Sequence, residues 1–301
     1  MKSKTYLYLG IFAVLVIAAY YLTTDREEKT SSYKLSETKL FELDSVKVDK
    51  IEIKDSRANL VISKTSGDWR VVEPYDYRTV NSAVESMVSN LKNMKLESIV
   101  SANPNKKETY GFKDSEQAEI SVYEGGILKG KFLLGNNSAA SSSYIKKLDS
   151  DNIYIADNLD RNFFVKPTLD EWRDKNIVSI PKEGINAVEF VAGAETFMVK
   201  KDSTGKFFIG PDTVGAAFDG ILNLLGKFET TGFKDTTLAP QTEFDEVIKV
   251  DWGNKSDLNF LKLDGSPVKY LVQVSGDKQV YEVDEAAAKN LLKTKKEILG
   301  K

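Results

Sequence analysis

The stretch GDWRVVEP, Gly67 to Pro74, stands between a strand-like and a helix-like segment, and a paler copy, GKFFIGP, Gly205 to Pro211, stands in the same setting. The copy extends well beyond the phrase. With Val48 placed over Ile185, VDKIEI lies over INAVEF, and NLVISK (Asn59 to Lys64) lies over TFMVKK (Thr196 to Lys201). Trp69 matches Phe207, and Val84, Met87, Val88 and Leu91 match Ile221, Leu224, Leu225 and Phe228. Further on, YIKKLDSDNIYIAD (Tyr144 to Asp157) matches YLVQVSGDKQVYEVD (Tyr270 to Asp284). Two long blocks recurring in the same order restrict the chain to two copies of one supersecondary unit.

Each unit reads as α+β. KVDKIEI alternates apolar and polar residues at period 2, and NLVISK pairs back on it through a hairpin. A turn at Ser66-Gly67 leads to DWRVV, which ends at Pro74 because proline has no N–H to give the ladder. A helix follows, with Val80, Ala83, Val84, Met87, Val88, Leu91 and Met94 forming one apolar stripe, and Asn81 or Ser82 at its cap. Four further strand-like runs are AEISVYE, ILKGKFLLG, SYIKK and NIYIAD, and GNNSAASSS (Gly135 to Ser143) reads as a hairpin tip in water. A short helix near Leu159 to Phe164 closes the first unit, and Glu285 to Leu299 closes the second. Trp69 and Phe207 place a large ring where a strand enters the sheet, against the following helix; the rival role is a ligand-stacking platform.

Ahead of the units, Tyr6 to Leu22 is seventeen residues without charge or proline, preceded by Lys2 and Lys4. At 1.5 Å per residue this is about 26 Å of helix, close to the roughly 30 Å apolar core of a bilayer. The basic flank orients the N-terminus to the cytoplasm and everything after Thr23 to the outside. The rival reading is a cleaved signal peptide, although its small-residue site, Ala18-Ala19, is followed by two tyrosines inside the apolar run. The expected organisation is an anchor over 1–24, a tether over 25–44, a first unit over 45–180 and a second, divergent unit over 181–301.

The chain has no cysteine and no histidine. Disulfides and thiolate chemistry are therefore excluded, as are the usual catalytic triads. A net charge of -3 gives no basic surplus for nucleic acid. No residue pattern nominates a catalytic residue, a cofactor site or a metal site.

GDWRVVEP, then VSNLKNMKLESIV, Tyr110-Gly111-Phe112, FLLG, YIKK, IYIAD and EWRDKNIVSI together resemble the DUF4340 family, a bacterial domain of unknown function. The resemblance covers Lys47 to Ile180, and the second copy more loosely. It implies a membrane-anchored protein of the periplasmic face of the inner membrane, associated with an ABC transporter similar to the gliding-motility type. It transfers no catalytic residue.

Two stretches are candidate interaction surfaces. EPYDYR offers Tyr75, Tyr77 and Arg78, and DEWRDK offers Trp172 and Arg173; tyrosine, tryptophan and arginine are interface-prone. The structural alternative makes EPYDYR a polar loop and DEWRDK a connector, with Trp172 packed and Arg173 paired to a carboxylate. Two functions follow as expectations. One is a membrane-anchored binding or adaptor protein, accessory to a transporter and contacting the lipid bilayer through residues 6–22. The other is a carboxylate-dependent hydrolase of envelope glycans, which needs two acids facing each other across a cleft.

Overall fold

A computed structural model describes residues 11–17, 35, 38–239 and 241–301. The architecture is α+β, dominated by antiparallel sheet. β1 (Val48–Lys54), β2 (Asn59–Thr65), β3 (Asp68–Glu73), β4 (Tyr77–Arg78), β5 (Lys95–Ser101), β6 (Ala118–Glu124), β7 (Ile127–Ala139), β8 (Ser142–Lys146) and β9 (Ile153–Asp157) make one sheet, in the order β4-β3-β2-β1-β6-β7-β8-β9-β5. β10 (Asn176–Val178) pairs with β15 (Phe228–Glu229) in a two-stranded sheet. The second large sheet contains β11 (Ala187–Ala192), β12 (Glu195–Lys201), β13 (Phe207–Ile209), β14 (Asp212–Thr213), β16 (Gly232–Lys234), β17 (Glu246–Asp251), β18 (Lys255–Leu263), β19 (Lys269–Val274) and β20 (Val280–Asp284). Its order is β14-β13-β12-β11-β17-β18-β19-β20-β16. Position by position, the two orders are the same.

By compactness the chain divides into two units, residues 1–59 with 85–165 and residues 60–84 with 166–301. In the first, the β6–β7 hairpin turns at Gly125 and Gly126, both with positive φ (58° and 76°), the geometry that matches strand twist in a two-residue turn. The segment before β1 is already packed here. Leu96 N donates to Thr38 O at 2.8 Å, Leu43 is buried, and Asp44 N donates to the Glu124 carboxylate at 2.6 Å. Phe41 lies over Gly130, where any Cβ would come within 2.2 Å of its ring.

Tyr110-Gly111-Phe112 ends a 3-10 turn, Pro104–Tyr110, capped by Asn103. Gly111 has φ +84°, Phe112 is buried, and the Tyr110 ring meets Tyr144 edge-on at 4.8 Å. The close approach falls at Gly135, where a Cβ would sit 2.3 Å from the Tyr110 carbonyl oxygen. Glycine is needed on both sides of this contact, once for conformation and once for space.

The core of the second unit joins Val188, Phe190, Val199, Ile248, Val250, Leu258 and Phe260 of the sheet to Phe218, Ile221, Leu222 and Leu225 of the helix Ala216–Gly226. Phe207 packs against Phe218 of that helix with ring centres 5.0 Å apart. Trp69 is buried as well. The C-terminal helices Glu285–Leu291 and Lys295–Leu299 are capped by Asp284 and Thr294, the latter in a reciprocal capping box with Glu297.

Several expectations need correction. The apolar stripe of the helix Asn81–Asn93 starts at Val84, since Val80 and Ala83 are exposed, and Asn81 Oδ1 accepts from Trp69 N at 2.7 Å. KLESIV, to which the sequence reading gives no element, is strand β5 and pairs with β9. Most of Gly135–Ser143 is strand: β7 continues to Ala139, and Ser143 is fully buried because its hydroxyl donates to Leu159 O. The closing helix of the first unit shrinks to the 3-10 turn Arg161–Phe163. The expected span Tyr6–Leu22 falls largely outside the described residues. Residues 11–17 are helical and exposed, and no helix among the described residues is long and apolar enough to cross a membrane.

Gly135→Ala must push the Tyr110 carbonyl away from β7. It is expected to lower stability by about 1–3 kcal/mol, read as a drop in the thermal midpoint, with Gly111→Ala behaving alike through its left-handed backbone.

Candidate functional site

Two arginines organise the polar interior of the second unit. β4 carries Tyr77 and Arg78, and the 3-10 turn Leu169–Trp172 delivers Arg173. The two stretches are held in register by a β-bridge between Thr79 and Arg173 and by Asp174 N donating to Arg78 O at 2.9 Å.

The Arg173 side chain is 1% exposed. Its Nη2 donates to Asp235 Oδ1, and its Nε lies 3.4 Å from Asp170 Oδ1. The guanidinium plane is held between two rings, 4.5 Å from the centre of Tyr77 and 4.9 Å from that of Phe233. Arginine tolerates this because its charge is delocalised and its flat face stacks on aromatics. Arg78 is half-buried and donates from Nη2 to Asn176 O at 2.7 Å, to Ile177 O at 3.1 Å and to the Tyr281 hydroxyl. Its Nε is 3.0 Å from Asp277 Oδ2, to which the Tyr281 hydroxyl also donates at 3.2 Å. Burial acts to lower the Arg78 pKa, but Tyr281, Asp277 and Asp174 more than offset it, and the net shift is upward. Burial also pushes the phenols of Tyr77 and Tyr281 up to about 12, with the neighbouring arginines opposing. The arrangement joins β4, the 169–177 connector and the 277–281 hairpin, while Nε and Nη1 of Arg173 are buried without a hydrogen-bond partner.

A second feature of this unit faces water. A small depression of about 50 Å³ is lined by Phe190, Ala192, Glu195, Phe197, Glu246 and Lys293, among others. Ala192 pairs directly with Glu195 on β12 and with Glu246 on β17, so all three side chains share one face. The two glutamates flank a methyl group and lie two strand spacings apart, about 10 Å between Cα atoms. The next row down holds Phe197, Phe190 and Ile248 on the same face, with the two phenylalanine rings stacked at 4.9 Å. Burial raises the Glu246 pKa, Asp245 adds to this, and Lys262 opposes.

Of the five residues singled out from sequence, Tyr77, Trp172 and Arg173 are buried, Arg78 is half-buried, and Tyr75 is exposed. The structure brings Tyr77 and Arg173 into ring contact and leaves Tyr75 outside the network. Glu195 and Glu246 were not singled out, because pairing across three strands that lie 51 positions apart in sequence leaves no local pattern. Among the described residues, no group of three or more acidic side chains is placed to hold a metal ion.

Sheet order and site thus define an α+β protein with two large antiparallel sheets and an internal topological repeat. Its family follows from the sequence: the model of the domain of unknown function DUF4340 matches residues 69–246, more than half of the chain, and the protein belongs to that family. No curated protein and no solved structure gives a significant match.

Arg173→Ala removes a stacked and paired buried cation and is expected to destabilise the protein by about 2–4 kcal/mol in chemical denaturation. Arg173→Lys, which lacks the planar face, is expected to recover less than half of that loss. Tyr77 and Tyr281 bind their protons more tightly in the folded state, with pKa values of about 12. Their contribution is complete below pH about 10 and is lost as pH rises from about 10 towards 12. Alkaline titration of tyrosinate absorbance should show a late-titrating pair, reduced to one group in Tyr281→Phe.

Proposed function

We propose that the protein is a membrane-anchored, periplasmic binding or adaptor subunit, accessory to an ABC-transporter-type complex of the inner membrane. The observation that carries this reading is the uncharged run Tyr6–Leu22, preceded by Lys2 and Lys4 and followed by some 250 residues of sheet-rich body. Such a run spans once, with the N-terminus in the cytoplasm. The doubled sheet order supports a body built by internal duplication. Tyr75 and Val80, both exposed on either side of β4, supply the aromatic and aliphatic contacts a docking surface needs. The expected chemistry is contact without conversion.

Topology is testable directly, because the chain has no cysteine of its own. A cysteine replacing Ser66 is expected to react with a membrane-impermeant maleimide once the outer membrane is permeabilised, and one replacing Lys4 is not. Labelling of both, or of Lys4→Cys alone, sinks the orientation. For the partner, detergent extraction and affinity isolation of the full chain should recover a multi-span transporter subunit, and Tyr75→Ala should reduce recovery by about tenfold, the loss of one aromatic hot spot.

A second reading is favoured by one observation, the two glutamates lining the depression. Glycan hydrolysis uses an acid with a raised pKa and a second carboxylate about 5–9.5 Å away. Glu246 has the raised pKa, and Glu195 lies two strands away on the same face. Turnover of peptidoglycan fragments that disappears in both Glu246→Gln and Glu195→Gln would replace the adaptor reading; no turnover removes the hydrolase.

A further inference from the structure

Outside residues 11–17, eight large apolar side chains are exposed among the described residues, and three of them, Val46 (84%), Ile127 (68%) and Leu128 (49%), sit at one corner of the first unit. The corner is rigid. The turn Gly125-Gly126 is fixed by its two positive φ values, and Gly126 N donates to Asp49 Oδ2 at 2.9 Å. Asp44 N donates to Glu124, the last residue before that turn, and Val46 lies in the turn Ser45–Lys47 that leads into β1. β1 starts beside the end of β6, with Val48 opposite Glu124 and Glu124 opposite Ile127. Each aliphatic segment is followed by a lysine, Lys47 after Val46 and Lys129 after Leu128, and both side chains stay substantially exposed.

We infer that this corner rests in the lipid surface, with Val46, Ile127 and Leu128 entering the headgroup–acyl boundary and Lys47 and Lys129 reaching back to the headgroups. The reading rests on the anchor proposed above. Three features select lipid as the occupant. The packed body begins at Thr38, sixteen residues after Leu22, so it lies within about 55 Å of the span. The packed segment Thr38–Asp44 runs to this same corner. Aliphatic tips flanked by lysine stems match the layered chemistry of a bilayer interface, where apolar groups sink and long amines snorkel.

The test uses the full chain in lipid vesicles, with single cysteines carrying a polarity-sensitive dye. Positions are Ile127→Cys and Val46→Cys at the corner, Val14→Cys in the apolar run, and Ala140→Cys in the turn at the far end of β7. One set of vesicles carries a quencher in the lipid headgroup region, which reports on the corner, and a second set carries it on the acyl chains, which reports on Val14. At Ile127 and Val46 the dye should lose about half of its emission or more, while at Ala140 it changes little. Two corner positions guard against one label disturbing the turn. Quenching at Val14 with Ile127 and Val46 behaving like Ala140 overturns this inference and leaves the anchor standing. No quenching at Val14 overturns the anchor, and the inference with it.

Discussion

A guanidinium taken out of water is the constraint from which much of this molecule follows. Arg173 has a 1% exposed side chain, and burying a cation costs several kcal/mol unless its charge is answered. The answer comes from four places in sequence: Asp235 and Asp170 as counter-charges, Tyr77 and Phe233 as ring faces. Arg78, one residue beyond Tyr77, repeats the device with Asp277, Tyr281 and two backbone carbonyls. Residues 60–84 fall in the second compact unit, and within it these two side chains tie β4 to the 169–177 connector and the 277–281 hairpin. A hydrophobic pair could join the same segments, but not with this register. The planar fork accepts partners in a few directions only, and Thr79 meets Arg173 in a backbone bridge as a result.

The same reasoning explains why the tryptophan–arginine phrase occurs once although the sheet occurs twice. The phrase lies between the copies, where it pins the connector to β4, and the second copy has no counterpart of it. Its closing element is instead the pair of helices Glu285–Leu291 and Lys295–Leu299, whose Leu291 and Ile298 join the apolar core. One copy is thus secured through polar contacts and the other through apolar ones.

The repeat was legible in sequence because period-2 alternation and turn residues are local signals. AEISVYE and NIYIAD became β6 and β9, and Ser66-Gly67 became a turn with positive φ at both positions. Where reading failed, a local signal was outweighed by a distant partner. Gly, Asn and Ser in Gly135–Ser143 announce a turn, yet Ser143 is buried by a bond to Leu159 and Gly135 by the arrival of Tyr110. KLESIV follows a helix with no intervening glycine or proline, so nothing marks where β5 begins. The cluster at Trp172-Arg173 was visible as a cluster. Its fate depends on Asp235, 62 positions away, and composition says nothing about that.

The depression at Ala192 is best understood by comparison with the corresponding corner of the first copy. There β1 ends at Lys54, and Asp55 closes the corner by accepting from Arg57 N and Ala58 N and pairing with the Arg57 side chain. Arg161 fills the rest, donating to the carbonyls of Leu134, Gly135 and Glu116. Burial lowers the Arg161 pKa, against the pull of Asp55. In the second copy the aspartate is replaced in position by Ala192, and a methyl group can neither build the turn nor recruit an arginine. Glu195 and Glu246 border the gap, and Lys293 stands across it, 3.7 Å from Glu297. The doubled topology gives two equivalent corners. One is closed by Asp55 with Arg57 and Arg161; in the other Glu195 is exposed and Glu246 half-buried.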